Sequence, residues 1–251
     1  MRTAQWILSL LLVALCLAWA IPASAAEEAE PIRVLIVTGH DVKSHPWRET
    51  TPFIRKVLED TGRFDTKVSE DTSIFESSTM PERYDVLLLN YGFWDVPEIS
   101  NEAKDGLLSF VRNGGGLVAI HFACSSYQDW KEYRDLLGRV WVKGVAGHGP
   151  RSVFNVKVVD HQHPITQGMS DFKADDELYA KLSGDAEIHV LGVADSDWSG
   201  KTEPLLFVKK YGNGNVFHDL LGHDVKARDY PAYQQLLIRG TEWAASGKVS
   251  P

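Results

Sequence analysis

Asn113 to Ser126 reads NGGGLVAIHFACSS, and the fold turns on it. Three glycines end a helical pattern, Leu117 to Ile120 runs as an unbroken apolar strand, and the strand stops on His121. An apolar run without polar alternation marks a strand buried on both faces, as in a parallel sheet covered by helices. A glycine just past the last periodic residue suits a helix C-terminal cap, here Gly114. Open α/β sheets gather ligands outside the carboxyl ends of their strands. His121 therefore stands where such a sheet keeps a reactive group.

The same grammar extends to either side. Ile32 to Thr38 (IRVLIVT) is a second buried run, ended by Gly39-His40. A polar loop, HDVKSHPWRETT, leads into a helix expected from Pro52 to Asp60, with Phe53, Val57 and Leu58 on its apolar face. Gly62 stops it. Phe64 to Val68 alternates as a strand, and Tyr84 to Asn90 (YDVLLLN) is again a continuous run. Ser100 is an expected N-cap for a helix that turns Leu107, Leu108 and Val111 to the core. The order β-α-β-β-α-β predicts an α/β fold: a flavodoxin-like, doubly wound, mostly parallel sheet. The second half is β-rich. Strands are expected at Ser152–Val159, Glu187–Ala194, Leu205–Tyr211 and Asn215–Leu221, with Asn213-Gly214 as a hairpin turn. A closing helix over Ala232–Ala245 offers Leu236, Leu237, Ile238 and Trp243 as core residues.

The chain has 251 residues, 44% of them hydrophobic, with a net charge of -8. Its cations are scattered and form no basic face, which argues against nucleic acid and anionic membranes as partners. Met1-Arg2, the apolar run Trp6 to Ile21 and Ala23-Ser24-Ala25 read as a secretory signal peptide over residues 1–25. The run is shorter than the ~20 residues of a spanning helix. The expectation is a secreted or periplasmic protein, a single domain over 26–251, with no stable membrane insertion after cleavage. Cys124 is then the remaining cysteine, so no internal disulfide forms.

Three histidines fall at or just beyond strand ends: His40, His121 and His223. Imidazole there serves as a general base, a general acid or a metal ligand, or as a hydrogen-bonded structural group. Asp176-Glu177 beside Tyr179 offers carboxylates for acid/base work, metal ligation or sugar hydroxyls, with a helix cap as the alternative for Asp176. Gly147-His148-Gly149 sets a histidine in a loop whose glycines admit close backbone approach. His161 and His163 precede Pro164 in a turn; His45 and His189 carry no signal; His218 faces either the site or the core. Trp47, Trp94 and Tyr179 offer rings for sugar faces or for core packing. No GxGxxG follows the first strand, and GxxxxGK[ST], GxSxG, HExxH and CxxC are absent. Cys124 is offset from the strand end and reads as a small buried thiol.

Together the motifs VTGH (37–40), NGGGLVAIH (113–121), GHG (147–149), DHQHPITQGM (160–169), DELY (176–179), YGNGNVFHDLLGHD (211–224) and LLIRGTEWA (236–244) resemble the ThuA-like (trehalose-utilisation) family. That family is similar in fold to class I glutamine amidotransferases, whose strand-end elbow holds a cysteine. Here His121 matches that place, so the resemblance excludes thiolate glutaminase chemistry. It implies work on disaccharides, glycosides or their 3-keto derivatives. It favours His121, His148, Glu177 and His223 as cleft residues, with His40 near them. On this reading His121, Glu177 and His223 are the catalytic candidates, and His40, His148, Tyr179 and Trp47 the substrate-binding ones. If a divalent metal is used, His121, His148 and His223 are its ligands, with Glu177 as a further candidate and Zn²⁺, Mn²⁺ or Fe²⁺ as the ion. A non-catalytic sugar-binding module and a scaffold subunit are the alternatives to an enzyme. A homo-oligomer is compatible with all three.

Overall fold

The computed structural model describes residues 30–40 and 42–250; the expected signal peptide lies outside them. One nine-stranded sheet runs in the order β2-β1-β3-β4-β9-β8-β7-β5-β6. Its parallel part comprises β1 (Ile32–Val37), β2 (Phe64–Ser69), β3 (Val86–Leu89), β4 (Gly116–Ile120) and β9 (Gly214–Asp219). The order 2-1-3-4 is that of a flavodoxin-like sheet, and β9 fills the fifth place. The antiparallel extension is β8 (Lys201–Tyr211), β7 (His189–Ser196), β5 (Ser152–Val158) and β6 (Phe172–Asp176). The α/β fold and its mostly parallel main sheet are as expected.

Every residue of β3, β4 and β9 is buried, because helices cover both faces of the parallel strands. Helix α1 (Trp47–Glu59) packs beside α5 (Pro231–Ser246), and α3 (Asn101–Arg112) beside α4 (Lys131–Leu137). A four-residue turn of helix, α2 (Met80–Arg83), precedes β3. Ser100 caps α3 by accepting from the Ala103 amide at 3.0 Å, and α3 buries Leu107, Leu108 and Val111. The triple glycine has a packing reason. A side chain on Gly115 would strike the Phe110 ring at 2.2 Å, and one on Gly116 would lie 2.5 Å from the Ala244 carbonyl oxygen. Helices from both layers thus close onto the start of β4.

Several local expectations need correction. Helix α1 starts at Trp47, not Pro52, and Pro52 lies inside it. Its buried face is Thr50, Thr51, Ile54 and Leu58, while Phe53 and Val57 are half-buried. The threonines go inward because Asn90 gives them hydrogen bonds at 3.1 and 2.9 Å. The hairpin turn is Gly212-Asn213, one residue earlier than expected: Tyr211 pairs with Gly214, and Gly212 takes φ 59°. Asp176 is no helix cap; it ends β6, a strand whose charged residues hid it. In α5, Leu236, Leu237 and Trp243 are buried, but Ile238 only partly so.

Candidate functional site

β4 and β9 are neighbours in register, with Ile120 opposite Asp219. The residues that follow both strands therefore emerge side by side at one carboxyl edge. His121 adopts φ 44°, a left-handed conformation that a branched or bulky residue rarely takes without cause. This sharp turn at a strand end is the geometry of a nucleophile elbow, here carrying an imidazole. His121 is only 1% exposed, and its Nδ1 donates to the Leu220 carbonyl at 2.8 Å. A carbonyl can only accept, so Nδ1 holds the proton. Nε2 then carries the lone pair, and it is buried without a hydrogen-bond partner.

Opposite it stands Glu177. Asp176, fully buried, accepts from the Gly222 amide at 2.6 Å and the His223 amide at 3.3 Å. Arg151 bridges Asp175 at 2.9 Å and Asp224 at 2.5 Å. These bonds tie the end of β6 to the loop after β9 and place Glu177 beside His223. Glu177 Oε2 lies 3.1 Å from His223 Nδ1, 3.6 Å from His148 Nε2 and 3.8 Å from His121 Nε2. His223 Nδ1 is close enough for an ion pair but off the line of a hydrogen bond.

His45, a residue without any sequence signal, completes the cluster. Its ring lies flat on Phe122 at 3.8 Å between centroids, 4.8 Å from the His223 ring and 5.3 Å from that of His121. One ligand atom from each of His45, His121, Glu177 and His223 falls within 4.8 Å of the others. His148 stands outside this set: its Nδ1 donates to Gly149 O at 2.6 Å, and its Nε2 faces Glu177. Of the expected trio, His121 and His223 converge with Glu177 and with His45, whereas His148 touches Glu177 but lies outside that group. Ligands about 2.1 Å from one ion at a tetrahedral angle lie ~3.4 Å apart. The Glu177 contacts at 3.1 and 3.8 Å bracket that spacing, while separations within the set run to 4.8 Å, so the side chains would draw inward on an ion.

Electrostatics keeps His45 and His121 neutral, with a free lone pair, while it favours the charged form of His223. Burial, then the charges of His45 and His223, pushes His121 well below the usual imidazole range. Burial and the His223 charge take His45 down to about 3. For Glu177, burial alone would raise the pKa, but His223, His148 and His45 outweigh it and hold the carboxyl below its usual range. Burial likewise opposes charge on His223, and the Glu177 partner overrides it and raises the pKa.

The cluster opens on a narrow cavity of about 20 Å³ lined among others by His40, His45, Trp47, His121, His223 and Arg228. His40, with φ 56°, is exposed, stacks on Phe93 at 5.8 Å and reaches the cavity but not the Glu177 group. Trp47 lies on the cavity wall. Tyr179 is 2% exposed, with His121 at 4.1 Å and Trp141 at 4.8 Å, so it has no face left for a sugar; its hydroxyl lies 3.2 Å from His45 Nε2. His218 points into the core, where its Nδ1 meets the Leu137 carbonyl at 3.3 Å. His161 donates to the Met169 carbonyl and His189 meets Asp160, both away from the cluster. Cys124 is fully buried, and burial pushes its thiol up to about 12.

The trehalose utilisation (ThuA) family model matches residues 33–244. The chain belongs to the ThuA family. Membership supports a carbohydrate-related role. Among solved structures, a ThuA-like protein from Parabacteroides merdae is 29% identical with a TM-score of 0.78, over 88% of this chain and 92% of that one. A ThuA-like protein from Bacteroides uniformis is 18% identical with a TM-score of 0.71, over 91% of this chain and 98% of that one, and shares the fold. The fold also matches part of a β-galactosidase from Bacillus circulans sp. alkalophilus: 14% identity, TM-score 0.56, 88% of this chain and 32% of that one. No curated protein matches the chain in sequence.

Proposed function

We propose that this ThuA-family protein is a secreted or periplasmic enzyme that processes a small carbohydrate at a divalent-metal site. Its ligands are His45, His121, Glu177 and His223. The observation that carries the reading is the buried lone pair of His121 Nε2 facing the Glu177 carboxylate, with two more imidazoles converging on the same point. The His121 lone pair and the Glu177 carboxylate repel unless a cation or a proton stands between them, and a bound ion would meet both. The Leu220 carbonyl fixes the tautomer and aim of His121, as outer partners of metal-bound histidines commonly do.

A divalent ion held there supplies Lewis-acid polarisation of a carbonyl or hydroxyl oxygen. The chain's own groups do the rest. His148 Nε2, 3.6 Å from Glu177 Oε2 and outside both the ligand set and the cavity lining, would act on a substrate proton through Glu177. His40 and Trp47 line the approach. At about 20 Å³ the cavity admits a water-sized group, so only the reacting end of a sugar would enter it. Disaccharides, glycosides and 3-keto-glycosides are the substrates this proposal names. The signal-like run at residues 1–25 supports the extracytoplasmic assignment.

The test is product release from a panel of glucosides and 3-keto-glucosides. It is run with metal-loaded protein, chelated protein and His121→Ala of verified fold. Turnover that needs both the metal and His121 is expected. Turnover unchanged by chelation and by the substitution would refute the proposal.

A further inference from the structure

We propose that the cleft receives a carboxylate-bearing ligand, with Arg228 and Thr50 as the donors that hold its anionic group. This deepens the reading above by naming the substrate class of the same cavity: a sugar acid such as a uronide.

Arg228 is 3% exposed yet lines the cavity. Its Nε donates to the Gly222 carbonyl at 2.8 Å and its Nη2 to Asn90 Oδ1 at 2.9 Å. Both acceptors are neutral, and Nη1 is buried with no partner. Guanidinium never loses its proton in a protein, so this is a buried, unpaired donor with a fixed charge. Its charge bears on His45 and His121, the imidazoles across the cavity.

The polar relay behind it is wired in one direction. Thr38 donates to the Asn90 carbonyl at 2.9 Å, so the Thr38–Thr51 contact at 2.9 Å has Thr51 as donor. The Asn90 amide gives one proton to Thr50 at 3.1 Å and one to Thr51 at 2.9 Å. Its oxygen is taken by Arg228, which fixes the amide orientation. Thr50 Oγ1 accepts, which leaves its own proton to give, and Thr50 lines the cavity. Two donors, hung on either side of Asn90, thus stand in the wall of the cavity, with the Arg228 nitrogen just beneath its surface.

Donors without acceptors select an acceptor-only group. The described lining contains no Asp or Glu. One fixed cation matches one negative charge, and arginine with a second donor suits a planar carboxylate.

The experiment compares methyl glucuronide, methyl glucoside and glycolate by calorimetric titration. The proteins are metal-loaded wild type, Arg228→Met and Thr50→Val. The glucuronide is expected to bind wild type at least tenfold tighter than the glucoside. Arg228→Met should bring the pair within twofold, and Thr50→Val should narrow the gap severalfold. Equal binding of the two sugars to wild type, which needs no variant to fold, overturns the carboxylate proposal and leaves the carbohydrate reading standing. A preference that survives Arg228→Met also overturns it. Binding of glycolate that needs Arg228, with neither sugar bound, supports the carboxylate site and removes the carbohydrate reading. Failure of all three probes overturns both.

Discussion

His121 donates through Nδ1 to the carbonyl of Leu220, 99 residues on, at 2.8 Å. That bond links the ends of the adjacent strands β4 and β9 and turns Nε2 toward Glu177. The left-handed backbone of His121 and the buried Asp176 clamp on Gly222 serve the same end. The site is therefore held by the sheet itself rather than by its loops alone.

On the proposed metal site, loss of any one ligand is expected to weaken metal binding. His45→Ala, His121→Ala, His223→Ala and Glu177→Gln are each expected to raise the metal Kd by at least tenfold. His148→Ala, outside the ligand set, is expected to change it by less than threefold while lowering turnover. Competition titration with a chromophoric chelator gives both numbers.

The ring stack beneath His45 makes a second, remote prediction. A side chain on Gly92 would sit 1.8 Å from the Phe122 ring, so Gly92→Ala must move Phe122 and the imidazole lying on it. Overpacking of this kind costs about 1–3 kcal/mol. We expect a folded protein with a lower urea midpoint and metal affinity reduced severalfold, although Gly92 donates no ligand.

Stability follows pH in two arms. His45 and His218 have folded pKa values of about 3 and about 4, below the unfolded ~6.5. His121 is also depressed. Between those limits the unfolded chain binds more protons, so these three stabilise the fold above pH 6.5 and lose that contribution as pH falls. Asp219, raised to about 8 by burial, and Asp176, raised to about 6, act in the opposite sense. They stay protonated in the fold, so their contribution is lost as pH rises toward those values. Each fully displaced group contributes on the order of 1.4 kcal/mol per pH unit. The imidazoles prevail below about 6.5 and Asp219 above it. Urea unfolding of chelated protein should therefore show a maximum near pH 6.5, and Asp219→Asn should flatten the alkaline arm.

Cys124 is predicted to be dispensable for chemistry. Its thiol is buried and protonated, so Cys124→Ala should keep full turnover while lowering stability by about 1 kcal/mol or more through the cavity it leaves. A loss of turnover without loss of metal would reinstate a thiol role.

The parallel sheet was legible because β3 and β4 are apolar without interruption and β1 is so but for Arg33, a pattern that two-sided burial explains. The places of His121 and His223 followed from the ends of such strands. β6 was not legible: FKADD carries three charges, and the clamp role of Asp176 depends on a neighbour 46 residues away. His45 was silent for a similar reason. Its loop carries no periodicity, and its place is set by stacking on Phe122, which follows His121 on a different strand end. Of the two uses open to Tyr179, core packing is the one the structure shows: the segment after β6 sets its ring under His121, a contact no local pattern encodes. Arg228 gave no signal, since its meaning lies in one unpaired nitrogen.

The central claim is that these ligands share one ion, and anomalous diffraction from crystals of protein purified without chelator tests it most directly. The account predicts one anomalous peak about 2.0–2.2 Å from the nitrogens of His45, His121 and His223 and from a Glu177 oxygen. A peak held by other residues, or none with stoichiometric metal absent from the protein, would contradict it.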